Sequence, residues 1–277
     1  MEIMARLGYG ARGIVYCLVG GLALLAAFGS GGQTGGSRSA LQSLLSQPFG
    51  KAWLVLIASG LFGFAAWRIV EALTDADHRG REWKALGIRA AHLVSGGIYA
   101  GLAVFALNLA FGRGAGGGED QAAQSWTAWL MAQPFGQWLV GLIGVGVAAA
   151  GLGFIWKGWR GDVVMRLALP SGADRWVLPL GRLGYAARGV VFVLVGGFLI
   201  LAALHSNSSE VHGLGGALQS LQAQPFGWIL LGVVAAGLFA FGVFGLVQAR
   251  YRHLDAPDLK QARDAVADGV QALKPGG

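Results

Sequence analysis

The chain has 277 residues, of which 55% are hydrophobic and only 13% are charged. Soluble globular proteins carry about 25% charged residues, so this composition argues against an ordinary soluble domain and indicates a membrane protein. The net charge of +7 requires no nucleic-acid partner, because Lys and Arg also mark the cytoplasmic loops of membrane proteins.

Six apolar segments follow one another along the chain, each close to the roughly 20 residues that a helix needs to cross a bilayer. In chain order they are Leu7–Phe28, Ala52–Val70, Ala90–Phe111, Trp138–Ile155, Tyr185–Leu204 and Trp228–Val247. Between the two members of each pair, apolar residues at helical spacing predict a short amphipathic helix at the outer membrane interface. These three short segments lie near Ala40–Leu45, Trp126–Met131 and Ala217–Leu221.

The six segments form three copies of a two-helix unit, at residues 4–74, 87–160 and 180–252. A Pro-Phe-Gly sequence precedes the second helix of every copy, at Pro48, Pro134 and Pro225. Because each copy has an even number of spans, all three share one orientation, as in proteins built from parallel repeats. We predict an all-α, integral-membrane six-helix bundle with pseudo-threefold symmetry, followed by an amphipathic cytoplasmic tail at residues 255–277.

The distribution of basic residues predicts how the bundle is oriented. Of the 21 Lys and Arg residues, all but Arg38, Lys51 and Arg113 lie on the side of the two termini. Lys and Arg are enriched in short cytoplasmic loops, so both termini are predicted to be cytoplasmic, in a bacterial plasma (inner) membrane. Small residues at helix contacts allow close packing in lipid, and Gly20, Gly96 and Gly196 are predicted to face neighbouring helices.

The first and third copies open with an Arg-x-x-Tyr-x-x-Arg-Gly sequence, at Arg6–Gly13 and Arg182–Gly189. Together with the Pro-Phe-Gly sequences, this pattern resembles a bacterial family called domain of unknown function 1206, over about Met4 to Arg252. The second copy departs from the pattern, with His92 and Ser95 in place of the Tyr and the second Arg. The family has no assigned activity, so the resemblance implies an architecture and a membrane location but no catalytic residue.

The repeated Tyr and Arg positions are the candidate site. Helical spacing places Tyr9, Arg12 and Tyr16 on one face of the first long helix. If the equivalent faces of all three copies meet on the axis, they line a cytoplasmic vestibule. The candidate ligand-binding residues are Arg12, Arg188, Tyr9, Tyr185, His92, Tyr16 and Tyr99. An arginine inside a span is a functional hypothesis by default; the alternative is that Arg12 and Arg188 snorkel to the inner surface.

Equivalent positions near the inner ends of the second helices hold Glu71, Lys157 and Gln248. Plain solvation at the interface is one interpretation of them, and an ion pair between Glu71 and Lys157 is the other.

The sequence contains no common catalytic or nucleotide-binding motif, so we expect neither an enzyme nor a cofactor or metal. Two functions remain: a binding site or passive pathway for a small anionic or amphiphilic molecule, and a non-catalytic scaffold that binds lipid or a partner protein. Membrane lipids, in particular anionic ones, are the expected partners, and nucleic acid is not. An open central axis would favour a pathway, whereas a packed axis would favour the scaffold.

Overall fold

The computed structural model describes residues 2–74, 83–113, 117–165, 167–170 and 172–251. This part of the chain contains α1 Glu2–Ala27, α2 Ser37–Leu45, α3 Gly50–Thr74, α4 Trp83–Ala110, α5 Glu119–Met131, α6 Gly136–Arg160, α7 Asp174–His205, α8 Leu214–Gln222 and α9 Gly227–Tyr251. Six of these helices, α1, α3, α4, α6, α7 and α9, are long and apolar enough to cross a membrane. The predicted all-α, six-span architecture is confirmed, and the predicted tail lies outside the described residues.

The long helices pack in a ring that follows the repeats. The second long helix of each repeat packs on the first long helix of the next, so that α3 contacts α4, α6 contacts α7, and α9 contacts α1. Within the first and third repeats the two long helices also pack together, α1 with α3 and α7 with α9. Within the described residues, α4 and α6 of the second repeat do not form such an interface. The ring therefore has one open side.

Glycines allow the close contacts between repeats. A Cβ atom at Gly20 would lie 2.8 Å from the carbonyl oxygen of Ala235 in α9, and one at Gly196 would lie 2.7 Å from that of Gly144 in α6. At Gly96 the nearest atom would be a side-chain carbon of Ile69 in α3, at 3.2 Å. Helix backbones approach this closely in membranes when the interface residues are small. The prediction that these three glycines face neighbouring helices is confirmed.

A second feature follows the same pseudo-threefold pattern. The arginine at the start of each repeat donates a hydrogen bond to a carbonyl oxygen at the end of the second long helix of the repeat before it in the ring. For the first repeat, this neighbour is the third repeat. These bonds join Arg6 to Arg250 O at 3.1 Å, Arg89 to Ala72 O at 2.5 Å and Arg182 to Trp159 O at 2.6 Å. The last carbonyls of a helix have no partner within the helix, and a cation there also favours the helix dipole. We call the end of the bundle where α1 begins and α9 ends the inner end, after the orientation that the sequence predicts, and we call the opposite end the outer end.

The short helices α2, α5 and α8 cover the opposite, outer end, where the sequence predicted three short helices. Leu41 of α2 and Leu218 of α8 are fully buried, so these helices pack on the bundle. The first turn of α5 joins the layer together, since Glu119 accepts a hydrogen bond from the Ser37 N–H at 2.7 Å and Asp120 accepts one from the Gly213 N–H at 2.6 Å. Carboxylates thereby satisfy backbone donors at the starts of α2 and α8.

The Pro-Phe-Gly sequence forms the same turn three times. In the first copy the Gly50 N–H donates to the Gln47 carbonyl oxygen at 2.9 Å, and the other two copies repeat the bond at 2.9 and 2.8 Å. The phenylalanine of each turn is left-handed, with φ of 60°, 61° and 60° at Phe49, Phe135 and Phe226. The glycine that follows must stay small, because a Cβ at Gly50 would lie 2.6 Å from the Leu45 carbonyl oxygen.

Helix α7 begins at Asp174, well before the predicted start of this span at Tyr185. Its additional turns are stabilised by a small apolar cluster at the inner end. There Val177 is fully buried and packs with Val163, Phe244 and Val247. Burial of apolar side chains stabilises a helix beyond the hydrocarbon-length segment that sequence identifies.

Candidate anion-binding site

Three arginines and three phenylalanines alternate across the inner half of the bundle. We call this group the arginine–aromatic ladder, and its order is Arg68, Phe64, Arg12, Phe241, Arg188 and Phe154. The distances from guanidinium carbon to ring centre along the ladder are 4.9, 5.1, 5.0, 4.9 and 5.0 Å. Five of the six long helices contribute to it, namely α3, α1, α9, α7 and α6. A cation near an aromatic ring is stabilised by about 0.5–2 kcal/mol, with the larger values where water is excluded.

Arg12 occupies the middle of the ladder and is 3% exposed. Its guanidinium donates to the side-chain oxygen of Gln248 at 3.0 Å and lies 5.3 Å from the Tyr9 ring centre. Its Nε atom is buried without a hydrogen-bond acceptor among the described residues. Arg12 lies six residues, or about 9 Å of helix rise, inside the start of the span at Arg6. This side chain is enclosed by protein, and does not reach the surface as the snorkelling interpretation requires.

The Arg68 end of the ladder is balanced by a carboxylate. The Arg68 guanidinium donates to Glu71 at 2.8 Å, and the Trp67 indole N–H donates to the same carboxylate at 2.7 Å. His92 of α4 reaches this acid as well, with its Nδ1 atom 3.8 Å from Glu71 Oε2. Lys157 instead lies 4.8 Å from the Tyr185 ring centre, so the suggested ion pair between Glu71 and Lys157 is not formed.

The Arg188 end of the ladder has no such balance. Arg188 is half-buried, and four rings surround its guanidinium carbon: Phe241, Phe154, Phe192 at 5.1 Å and Tyr16 at 5.5 Å. Among the described residues its guanidinium has no carboxylate within ion-pair distance, and its Nε atom is buried without an acceptor. Arginine has five N–H donors, and a desolvated charge without a partner is unfavourable by several kcal/mol.

The four candidate tyrosines pack around the two central rings of the ladder. Tyr9 and Tyr99 lie edge-on to Phe64, with ring centres 5.2 and 4.8 Å away. Tyr16 and Tyr185 contact Phe241 in the same way, at 4.9 and 5.4 Å. The structure thus brings together Arg12, Arg188 and the four tyrosines, whereas His92 lies at the margin, beside Glu71. That these residues bind a ligand stays a prediction.

Sequence reasoning missed four members of the ladder, namely Phe64, Phe241, Phe154 and Arg68. Phe64 and Phe241 follow Pro48 and Pro225 at the same interval, so an alignment of the repeats from these prolines could have paired them. An aromatic residue within an apolar span carries no other sign of its role. In the sequence Arg68 counted only as one of the basic residues on the side of the termini, whereas the structure places it within α3 and packs it on Phe64.

The central axis is filled by side chains at the level of the ladder, since Tyr16 and Tyr99 pack with the rings of Phe241 and Phe64. A cavity of about 470 Å³ lies at the outer end, lined by the glycine-rich link after α1 and by Gln219 and Gln222. None of its lining residues is charged, and none belongs to the ladder. The cavity and the unbalanced charge are therefore separate features.

The comparisons with known proteins agree with the repeat architecture. The family described as Domain of Unknown Function (DUF1206) matches the chain three times, at residues 7–75, 90–161 and 183–252. The chain is 35% identical over 253 residues to an uncharacterised protein, YxxB, of Bacillus subtilis (strain 168), and the match covers 90% of each chain. No solved structure matches the chain.

Proposed function

We propose that this chain, which belongs to the DUF1206 family, is a non-enzymatic membrane protein that binds the phosphate or carboxylate group of an anionic molecule through Arg188 and Arg12. The observation that carries the proposal is the guanidinium of Arg188, which aromatic rings enclose and to which no described residue offers a carboxylate. An arginine that is partly desolvated and has no acidic partner destabilises the fold unless a ligand supplies the missing negative charge.

The charge of the ladder supports an anionic ligand. Among the described residues, its three guanidinium groups face one carboxylate, Glu71, which is already bonded to Arg68 and Trp67. Arg12 and Arg188 both lie within about 5 Å of the centre of Phe241, so one bound anion can interact favourably with both charges. The planar guanidinium presents paired N–H donors that match the oxygens of a phosphate or carboxylate.

The packed axis favours binding over passage. Rings from α1, α4 and α9 fill the bundle at the level of the arginines, and a continuous polar route would have to pass through them. The proposed role is therefore to hold an anionic group at the inner end, where a lipid headgroup and a small metabolite are both sources of that chemistry.

The proposal includes the location of the chain in a bacterial inner membrane, with both termini and the ladder on the cytoplasmic side. The excess of Lys and Arg at the inner end supports this orientation. In a Cys17→Ser background, Ser39→Cys and Ser208→Cys are expected to react with an impermeant thiol reagent added outside spheroplasts, and Asp162→Cys is expected to be protected. Labelling of Asp162→Cys from outside would reverse the orientation.

The binding proposal is tested by thermal unfolding of the purified full chain in a neutral detergent, with inorganic phosphate or chloride at equal ionic strength. Phosphate should raise the Tm of the wild type and should leave that of Arg12→Ala/Arg188→Ala unchanged. Arg12→Lys/Arg188→Lys should respond weakly, since an ammonium group cannot reproduce the planar fork. Arg113→Ala, which removes an exposed arginine at the outer end, is the control and should respond like the wild type. An equal phosphate response in the double alanine variant would refute the proposal.

A further inference from the structure

The open side of the ring is best seen by comparing the three repeats at equivalent positions. In the first repeat Gly60 of α3 packs against Ala11 of α1. In the third repeat Gly237 of α9 packs against Ala187 of α7 in the same way. Both contacts are so close that a Cβ atom on the glycine would collide with the alanine side chain. The equivalent glycine of the second repeat is Gly146 of α6, where a Cβ would meet nothing within 4 Å. Its expected partner on α4 is Val94, which is exposed.

Aliphatic side chains line this opening. Val15 of α1 and Val191 of α7 are 1% and 3% exposed, whereas Ile98, which occupies the equivalent position of α4, is 64% exposed. On the facing helix, Ile143 of α6 is also exposed, although its counterparts in α3 and α9 are buried. Their equivalence to interface positions of the other repeats assigns Val94, Ile98, Ile143, Gly146 and Ala150 to the two edges of the opening, and we call these five residues the α4–α6 seam.

The residue that closes the equivalent surface in the other repeats is missing here. Phe64 in α3 and Phe241 in α9 are fully buried and belong to the ladder. Their counterpart in α6 is Ala150, which is exposed. One turn further along α6, Phe154 contacts the guanidinium of Arg188, so the seam continues to the unbalanced end of the ladder.

We infer that the α4–α6 seam binds an acyl chain of an anionic membrane lipid whose phosphate group is held by Arg188 and Arg12. This inference rests on the proposed function and specifies the source of the anion. Burial of an acyl chain suits the seam because its side chains are aliphatic and α4 and α6 are both membrane-spanning helices. The lipid supplies both the apolar group that the seam lacks and the negative charge that Arg188 lacks.

Charge argues against a second copy of this chain as the occupant. Within the six spans of the described residues, the acidic side chains are Glu71 and Asp174, the first residue of α7. Glu71 is already bonded to Arg68 and Trp67. Asp174 is the first residue of α7, so it lies at the inner end of that span and not in its middle. A second bundle could cover the apolar seam but offers no acidic side chain from the middle of a span to Arg188.

The inference is tested by filling the seam. Gly146→Leu/Ala150→Leu adds side chains where the structure has open space, and Gly197→Leu on α7, which also meets nothing within 4 Å, is the matched control. Each full-length protein is placed in nanodiscs of equal parts phosphatidylglycerol and phosphatidylcholine, and native mass spectrometry measures bound lipid and oligomeric state. The wild type and Gly197→Leu should retain phosphatidylglycerol, and the apparent Kd of the seam-filled variant should rise about tenfold, which corresponds to about 1.4 kcal/mol.

The outcomes separate this inference from the proposed function. A seam-filled variant that loses phosphatidylglycerol but keeps the Tm increase with inorganic phosphate would support both. Equal lipid retention in the wild type and the seam-filled variant would overturn the inference while the phosphate response still supports an anion site. A wild-type dimer that becomes monomeric in the seam-filled variant would also overturn it, because the seam would then be an interface between copies. If inorganic phosphate raised the Tm of no variant, including the wild type, this result would instead refute the proposed function.

Discussion

The two ends of the arginine–aromatic ladder have similar arginines in opposite surroundings. At the first end Arg68 is paired with Glu71, and α3 and α4 pack closely around the pair. At the other end four rings lie near the Arg188 guanidinium, no carboxylate of the described residues reaches it, and Arg188 contacts Phe154 of α6, a helix that borders the open side of the ring. The charge at the Arg68 end is satisfied within the protein, whereas the charge at the Arg188 end lies where we propose that an anion binds.

The largest expected effect comes from removing the charge that balances the Arg68 end. Glu71→Gln keeps a side chain of the same size but leaves Arg68 without an anionic partner, and breaking a buried ion pair from one side costs about 3–5 kcal/mol. The free energy of unfolding is measured by titration with sodium dodecyl sulfate in mixed micelles. The control is Glu210→Gln, whose exposed pair with His205 should contribute less than about 1 kcal/mol. Equal losses in the two variants would mean that Arg68 is not desolvated.

At the Arg188 end, by contrast, we expect removal of the charge to leave the free energy of unfolding unchanged or to raise it. Arg188→Met replaces an unbalanced cation with an apolar side chain of similar length. Its removal should be neutral or stabilising by up to about 4 kcal/mol, the range found when a whole buried ion pair is replaced by apolar residues. The same titration should show Arg188→Met at least as stable as the wild type in neutral detergent, without any response to phosphate. Arg68→Met should be less stable, because it leaves Glu71 without its guanidinium. A clear loss of stability in Arg188→Met would indicate a structural cation whose contacts with the rings outweigh its burial.

The packing of α6 on α7 tests how firmly the border of the open side is held in place, because α6 borders the seam and packs closely on α7. A Cβ at Gly196 would lie 2.6 Å from the Ala148 backbone nitrogen, whereas one at the adjacent Gly197 would meet nothing within 4 Å. Gly196→Ala should therefore destabilise the protein by about 1–3 kcal/mol through overpacking. Gly197→Ala should be neutral or stabilise it by up to about 1 kcal/mol, through helix propensity. Thermal unfolding distinguishes the two, and similar Tm values would mean that the α6–α7 contact is loose.

The smallest effect is expected at the outer end, where acids face backbone donors. Burial raises the pKa of the Glu119 carboxyl, although the hydrogen bond from Ser37 lowers it in part. A carboxyl with a raised pKa in the folded state contributes stability that is fully present below its unfolded pKa of about 4.3 and is lost as the pH rises through the folded value. Relative to Glu119→Gln, the wild type should therefore become less stable as the pH rises from acidic to neutral. Parallel pH profiles of Tm would contradict this.

Much of the architecture could be predicted because membrane helices and repeats leave strong patterns. The six spans, the three short outer helices and the contacts of Gly20, Gly96 and Gly196 all follow from apolar length, spacing and residue size. The early start of α7 could not be predicted in the same way, because Val177 is buried by a cluster at the inner end and not by hydrocarbon.

The candidate site was predicted in part. The repeated Tyr and Arg positions indicated the faces that meet near the axis, but Phe64 and Phe241, which separate the guanidinium groups, look like ordinary apolar residues in the sequence. The open side of the ring depends on absent contacts at Gly146 and Ala150. A small residue in a span fits a tight interface and an empty surface equally well, so only the arrangement of the neighbouring helices distinguishes them.

A cryo-electron microscopy map of the full chain in nanodiscs that contain phosphatidylglycerol tests the central claim most directly. We expect non-protein density within hydrogen-bonding distance of the Arg188 guanidinium, extending toward Arg12, and we expect this density to be absent from a matched map of Arg12→Ala/Arg188→Ala. A wild-type map in which Arg188 contacts only protein atoms or bulk water would contradict the account.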